Sequence, residues 1–429
     1  MNQRKPVISE RIQELTCSLT NRFASPCYTE YMRMFFCIFL TALMSMSLIA
    51  QTGVGCDGAR YRYRVFDDIT VEYDISYGSN IAADGSTTAL VMDIYQPLGD
   101  PVNNRPVVVV AHGGFFLAGS NNGADVVPLC EDLARMGYVA ASINYRLGLS
   151  NFFALEASLQ EATVRGVQDA KAAVRFIRKS YETQGNPWGI DPERIVLGGS
   201  SAGGFIALHA AYVDDLSEVP SSLDFNSIGL SGGIEGESGS PGYSSEILSI
   251  FSISGAIGDD DWISAGNTPV VSTHGTGDGT VPFGTGSIQL FGINVIVVDG
   301  SEVIHNRVDA LGIDNCFHQF TGADHTPHTT STLYYDTTRA VTVGFTSRQV
   351  CPLYPPICGW YDVDEPPLVV TTCPADIVAD GVITVADILE VLGHFGCDSN
   401  CLADVDGDGA VSVSDVLSIL AIFGENCPT

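Results

Sequence analysis

A chain of 429 residues with 45% hydrophobic and 16% charged residues carries enough apolar side chain for a large core plus a small second domain, and its composition excludes a disordered protein. Its 50 acidic and 20 basic residues give a net charge of −30. Such a surface repels polyanions, which excludes nucleic acid and anionic lipid as partners. Residues 1–31 are polar and patternless, and the stretch Met32-Arg-Met-Phe-Phe-Cys to Ala50 follows with a basic start and a short apolar run. That run has the length of a signal-peptide core rather than a membrane span. Translation is expected to begin at Met32 or Met34, leaving 1–31 as a mis-assigned extension. Cleavage near Ala50-Gln51 would then give a secreted protein with no membrane attachment. Export permits disulfides among Cys56, Cys130, Cys316, Cys351, Cys358, Cys373, Cys397, Cys401 and Cys427, an odd set whose pairing the sequence does not fix.

Downstream, Tyr61 to Tyr77 alternates polar and apolar residues as edge strands do, and Leu90 to Tyr95 reads as another strand. Val107 to Ala111 is continuously apolar, the pattern of a strand buried on both faces of a parallel sheet. A helix (Val126 to Met136), a strand (Tyr138 to Asn144) and a long amphipathic helix (Leu159 to Tyr181) come next. Further buried strands are expected at Ile247 to Ser254, Pro269 to His274 and Ile293 to Val298, with a short one at Cys316 to Phe320. Strands alternating with helices predict a doubly wound, mostly parallel α/β sheet.

The β-branched run after Arg194 meets the turn Gly199-Ser200-Ser201-Ala202-Gly203 and continues into an apolar helical pattern. A nucleophile elbow needs that context: a strained central serine, with small residues two positions to either side so that strand and helix can pass. Ser201 is the candidate nucleophile. The strand Val107 to Ala111 ends in His112-Gly-Gly-Phe115, a loop of unhindered amides suited to an oxyanion. Gly114, Phe115 and Ala202 are the candidate N–H donors, with Gly113 shaping the loop and His112 structural. Asp278 lies just past a buried strand, where it can hold a histidine ring. Asp259, Asp260 and Asp261 form a charge run without that context and read as solvated. His325, in Phe320-Thr-Gly-Ala-Asp-His325, is the candidate base, and the adjacent Asp324 is set aside.

Together with Tyr145-Arg-Leu-Gly148, Asp191-Pro-Glu-Arg194, His274-Gly-Thr-Gly-Asp278 and Gly322-Ala-Asp-His325, these stretches resemble α/β-hydrolases of the carboxylesterase and hormone-sensitive-lipase-like type, including bacterial esterases of polysaccharide-linked esters. The order Ser201, Asp278, His325 is the one expected of that class. The resemblance implies a serine carboxylesterase that acts through an acyl-enzyme and needs no cofactor for catalysis, and no stretch of the sequence forms an obvious long lid, which favours short-chain esters. Small esters, or acetyl and feruloyl esters on polysaccharide, are the implied substrates. Phe115 stands where a third glycine is commoner, and Asp324 where a glycine often precedes the histidine. A serine peptidase of the prolyl-oligopeptidase type is disfavoured by the His112-Gly-Gly loop, and a non-catalytic adhesion scaffold by the intact Ser201, Asp278 and His325.

The expected catalytic domain spans 51–347. A proline-rich linker (348–372) follows, clipped in this reading by a Cys351–Cys358 bridge, and then an all-α module (373–429). That module repeats at a spacing of 28, Asp380-Gly-Val-Ile-Thr against Asp408-Gly-Ala-Val-Ser. The second copy puts Asp404, Asp406, Asp408, Ser412 and Asp415 at the oxygen-ligand positions of an EF-hand loop around Gly409. The first has Asp376, Asp380, Thr384 and Asp387 but Val378 in place of a ligand, and so predicts a weaker Ca2+ site. Paired loop-helix repeats of this kind resemble a type I dockerin, which implies Ca2+ binding and a cohesin-like protein partner.

Overall fold

In a computed structural model the described residues are 55–290, 292–364, 375–378, 382–397, 403–406 and 410–424. The expected signal segment and extension lie outside them. No helix among the described residues is long and apolar enough to cross a membrane.

The centre of the molecule is β3 (Arg105–Ala111), whose seven residues are all buried. Side chains alternate across a strand. Val107, Val109 and Ala111 therefore join one apolar layer, and Val108 and Val110 the other. Around β3 an eight-stranded sheet runs in the order β1-β2-β4-β3-β5-β6-β8-β11. Its strands are β1 (Ile69–Ile81), β2 (Thr87–Pro97), β4 (Val139–Ile143), β5 (Ile190–Ser200), β6 (Ser249–Ile253), β8 (Val270–Gly275) and β11 (Asn315–Phe320). From β4 to β11 all neighbours are parallel, while β1 and β2 add an antiparallel edge.

Helices α1 (Val127–Arg135), α2 (Leu155–Thr183), α3 (Ala202–Tyr212), α4 (Ser301–Leu311) and α5 (Thr332–Val350) complete this body. Leu159, Ala162 and Ile177 of α2 and Ile206 of α3 cover one face of the sheet. Leu129 and Leu133 of α1 and Val341 and Phe345 of α5 cover the other. The expected doubly wound, mostly parallel sheet is what forms.

Two expectations are corrected. Ile293 to Val298 does not enter the main sheet. It lies within β10 (Ile293–Gly300), which pairs antiparallel with β9 (Thr285–Leu290) and β7 (Ala256–Ile257) in a small separate sheet. Val295 and Val298 are buried there while Ile293 and Val297 are exposed. A short β-branched run fits a buried strand and a half-buried hairpin equally well, and tertiary context decided between them.

The second correction concerns disulfides. Cys351 pairs with Cys56 and Cys358 with Cys316, not with each other. Residues 351–364, within the stretch expected to be a linker, pack onto the sheet body. Gly58 N–H donates to Tyr354 Oη (2.8 Å), Tyr361 Oη donates to Arg62 O (3.0 Å), and Val363 is buried. Cys351 is thereby held against Cys56, and the chain runs on to bring Cys358 to the β11 edge. Cys130 is a buried free thiol.

Near the C-terminus, α6 (Val385–Gly393) and α7 (Val413–Ala421) each start from a reciprocal cap, Thr384 with Asp387 and Ser412 with Asp415. Their shared core consists of three pairs, Ala375 with Ala403, Ile383 with Val411, and Val391 with Ile419. Each pair carries the 28-residue spacing of the sequence repeat.

Candidate active site

The site starts from a backbone constraint. β5 ends at Ser200, α3 begins at Ala202, and Ser201 between them sits at φ 51°, ψ −112°, a conformation that is costly for a residue with a Cβ. The turn closes only because its flanks lack side chains. A Cβ on Gly199 would lie 2.2 Å from Ala111 O, and one on Gly203 2.0 Å from the same oxygen. Ser201 N–H donates to Ile253 O at the end of β6 (2.8 Å), which helps hold the turn.

Ser201 Oγ lies 2.8 Å from His325 Nε2, and His325 Nδ1 lies 2.7 Å from Asp278 Oδ2. The carboxylate can only accept, so Nδ1 carries the proton and Nε2 is left to accept from the serine hydroxyl. Three residues distant in the chain are thus brought into one hydrogen-bonded line. Asp278 follows β8, and His325 follows the adjacent parallel strand β11.

The Asp278 carboxylate has no exposed side-chain surface. Its Oδ1 accepts from Thr280 N–H (2.8 Å) and Val281 N–H (2.9 Å). Its Oδ2 accepts from His325 and from His274 Nε2–H (3.1 Å). Burial alone would push this carboxyl up. The hydrogen bonds from His274 and His325, with their charge interactions, outweigh burial and hold it well below the usual carboxylate range.

His274 is a second ring on the Asp278 carboxylate, beside that of His325. It is fully buried, with Ser301 Oγ 2.8 Å from its Nδ1. The available signal was the i, i+4 spacing of His274 and Asp278 across a strand end. Asp324, the neighbour set aside, turns from the ring to the backbone. Its Oδ1 accepts from Gly279 N–H (3.0 Å) and His325 N–H (2.7 Å), which fixes the loop.

The His112–Phe115 loop leaves β3 beside Ser201, because Ala111 pairs with Gly199. Gly114 (φ 116°), Phe115 (φ 59°) and Phe116 (φ 59°) all occupy positive φ. Among the described residues no acceptor takes the N–H of Gly114, Phe115 or Ala202. His112 is buried, stacks on Tyr145 (4.4 Å, 18°) and bonds Gly113 O through Nδ1 (2.6 Å). Burial pushes its imidazole pKa down, as suits a neutral structural ring. Tyr145 Oη donates to His112 O (2.9 Å), so the Tyr145-Arg-Leu-Gly148 stretch supports this loop.

In the second repeat, carboxylate oxygens of Asp404, Asp406 and Asp415 lie within 4.8 Å of one another. Asp415 also accepts from Val405 N–H (2.7 Å) and Ser412 N–H (2.7 Å). In the first repeat, Asp387 accepts from Val378 N–H (3.0 Å) and Thr384 N–H (2.8 Å). Asp376 is described, whereas Asp380 and Asp408 lie outside the described residues. The second set of hard oxygen donors fits a calcium ion. Asp259, Asp260 and Asp299 make another acidic cluster, partly exposed, with carboxylate oxygens within 4.8 Å of one another.

The BD-FAE family model matches residues 92–232. Carboxylesterase 3B of Mus musculus is 35% identical over 124 residues, 28% of this chain and 20% of that protein. Para-nitrobenzyl esterase of Bacillus subtilis is 34% identical over 122 residues, 28% of this chain and 23% of that protein. Neuroligin-like protein glit-1 of Caenorhabditis elegans is 35% identical over 98 residues, 23% of this chain and 12% of that protein. The chain therefore spans less than a quarter of the length of each. Among solved structures, the propionate-bound Est2 esterase of Thermogutta terrifontis is 26% identical with a TM-score of 0.41, covering 60% of this chain and 85% of that one. The chain is similar to α/β-hydrolase carboxylesterases.

The depressed Asp278 pKa has a definite consequence for stability. A carboxylate of this kind stabilises the fold above its ordinary value near ~3.9, and that contribution is lost as pH falls toward the folded-state value. Urea unfolding should show the stability gap between wild type and Asp278→Asn narrowing from about pH 6 to about pH 3. A gap independent of pH would contradict the assignment.

Proposed function

We propose that this chain is a serine carboxylic-ester hydrolase in which Ser201 is the nucleophile, His325 the base and Asp278 its orienting acid. The observation that carries the reading is the line Ser201 Oγ–His325 Nε2–Asp278 Oδ2, at 2.8 and 2.7 Å, beside the N–H groups of Gly114, Phe115 and Ala202, which have no acceptor among the described residues. Ser201 Oγ attacks the ester carbonyl carbon as its proton passes to His325 Nε2. The N–H groups of Gly114, Phe115 and Ala202 hold the oxyanion, and the imidazolium returns the proton to the departing alcohol. Water, activated by the same imidazole, then releases the acid from the acyl-enzyme.

Short-chain esters are the proposed substrates, with acetyl or feruloyl esters on polysaccharide as the natural form. The BD-FAE match and the sequence resemblance support that class. Secretion is part of the same reading, and the two disulfides of the sheet body are compatible with it. The residues after 373 are proposed as a separate Ca2+-binding module, held by Asp404, Asp406, Asp408, Ser412 and Asp415 and more weakly by the first loop, which presents a surface to a cohesin-like partner. The calcium would neutralise clustered carboxylates and fix the loop ahead of α7.

The full chain should hydrolyse p-nitrophenyl acetate and butyrate readily and the palmitate poorly, with kcat falling by more than about 10⁴-fold in Ser201→Ala. Folded wild-type protein that turns over none of these esters would overturn the reading. Chelation with EGTA should lower the melting temperature of the C-terminal transition in calorimetry, and added Ca2+ should restore it. A transition indifferent to both would remove calcium from the account.

A further inference from the structure

Asp125 lies outside every motif discussed above, yet it touches both loops that build the site. Its Oδ2 accepts from Gly113 N–H at 2.7 Å. Its backbone oxygen accepts from Nε2–H of His328 (3.2 Å), a buried ring three residues beyond His325. Gly113 is wedged between this carboxylate and the nucleophile. A Cβ added there would lie 3.2 Å from Asp125 Oδ2 and 3.3 Å from Ser201 Cβ.

The loop it grips is under strain, with Phe115 and Phe116 both at φ 59°. Backbone of that kind persists only where its surroundings over-determine it. The other anchors are neutral: Tyr145 Oη on His112 O, His112 Nδ1 on Gly113 O, and Gly148 N–H on Phe116 O (2.7 Å). Asp125 supplies the charged one, and a hydrogen bond to an ionised acceptor is roughly twice as strong as a neutral one. A carboxylate close to a developing oxyanion would by charge alone oppose the reaction. Its place here therefore calls for a geometric reason. By engaging Gly113 N–H, it fixes the peptide that precedes the two donors Gly114 and Phe115.

We propose that Asp125 is a positioning residue. Its carboxylate sets the oxyanion loop, and its carbonyl, through His328, ties that loop to the one bearing His325. The inference rests on the hydrolase reading above.

The test compares the full-length wild type, Asp125→Ala and Asp125→Asn for kcat and KM on p-nitrophenyl acetate and for inhibition by a trifluoromethyl ketone. Serine adds to that ketone to give a tetrahedral oxyanion, so its affinity reads the oxyanion site directly. In Asp125→Ala, kcat and ketone affinity should fall together, roughly 10- to 100-fold, with KM nearly unchanged. The pH midpoint of kcat/KM, which reports His325, should stay in place. Asp125→Asn keeps an acceptor oxygen and should recover most of the loss. A merely structural role would not couple ketone affinity to kcat at constant KM. Values for Asp125→Ala within about twofold of wild type, or an Asn variant as impaired as the Ala one, would overturn the proposal. A wild type inactive on esters would instead overturn the hydrolase reading, and the proposal with it.

Discussion

The structure depends on how closely α3 can cross the end of β3. Ala111 O sits where a side chain on either Gly199 or Gly203 would have to be, within 2.2 Å in both cases. That contact lets β5 turn into α3 in a single residue and leaves Ser201 at the tip with its backbone at φ 51°. The register of β3 with β5, Ala111 against Gly199, makes the His112–Phe115 loop emerge next to the same tip. One close approach therefore positions both the candidate nucleophile and the candidate oxyanion donors.

The other half of the site follows from strand order. β8 and β11 are parallel neighbours at the far side of β6, so the loops after them leave the same end of the sheet as Ser201. Gly277 N–H donates to Ala323 O (2.9 Å) and Gly322 N–H to Thr276 Oγ1 (2.8 Å), which zips the two loops together. Asp278 and His325 are then in reach of each other with little conformational freedom left to lose. Positive-φ residues such as Ser201, Phe115 and Phe116 each cost on the order of 1–3 kcal/mol. The buried sheet on which they stand offsets that cost. Strain concentrated at a strand end, on a rigid two-faced sheet, is the arrangement expected of a preorganised site rather than of a surface turn.

Much of this was legible in the sequence because its signals are local. The Gly199–Gly203 turn, the His112-Gly-Gly loop and the apolar run of β3 each declare their backbone requirement within a few residues. The order of Ser201, Asp278 and His325 adds long-range information only because a resemblance to a known class supplies it. What was not legible depends on contacts that cross the chain. Asp125 reaches Gly113 from 12 residues away without a motif. The role of His274 appears only when Ser301 and Asp278 are seen on either side of its ring. The disulfides followed the packing of Tyr354 and Tyr361 rather than the proximity of Cys351 to Cys358 in sequence. The β9–β10 hairpin shows the same limit, since a run such as Ile293 to Val298 does not state which sheet it joins.

The central claim is that the environment of Ser201 makes it nucleophilic, and covalent trapping tests that most directly. The full chain would be incubated with a fluorophosphonate, and the adduct located by intact-mass measurement and peptide mapping. One adduct per chain on the peptide containing Ser201, absent from His325→Ala, is the predicted result. Folded protein that leaves Ser201 unmodified, or that labels it equally without His325, would contradict the account.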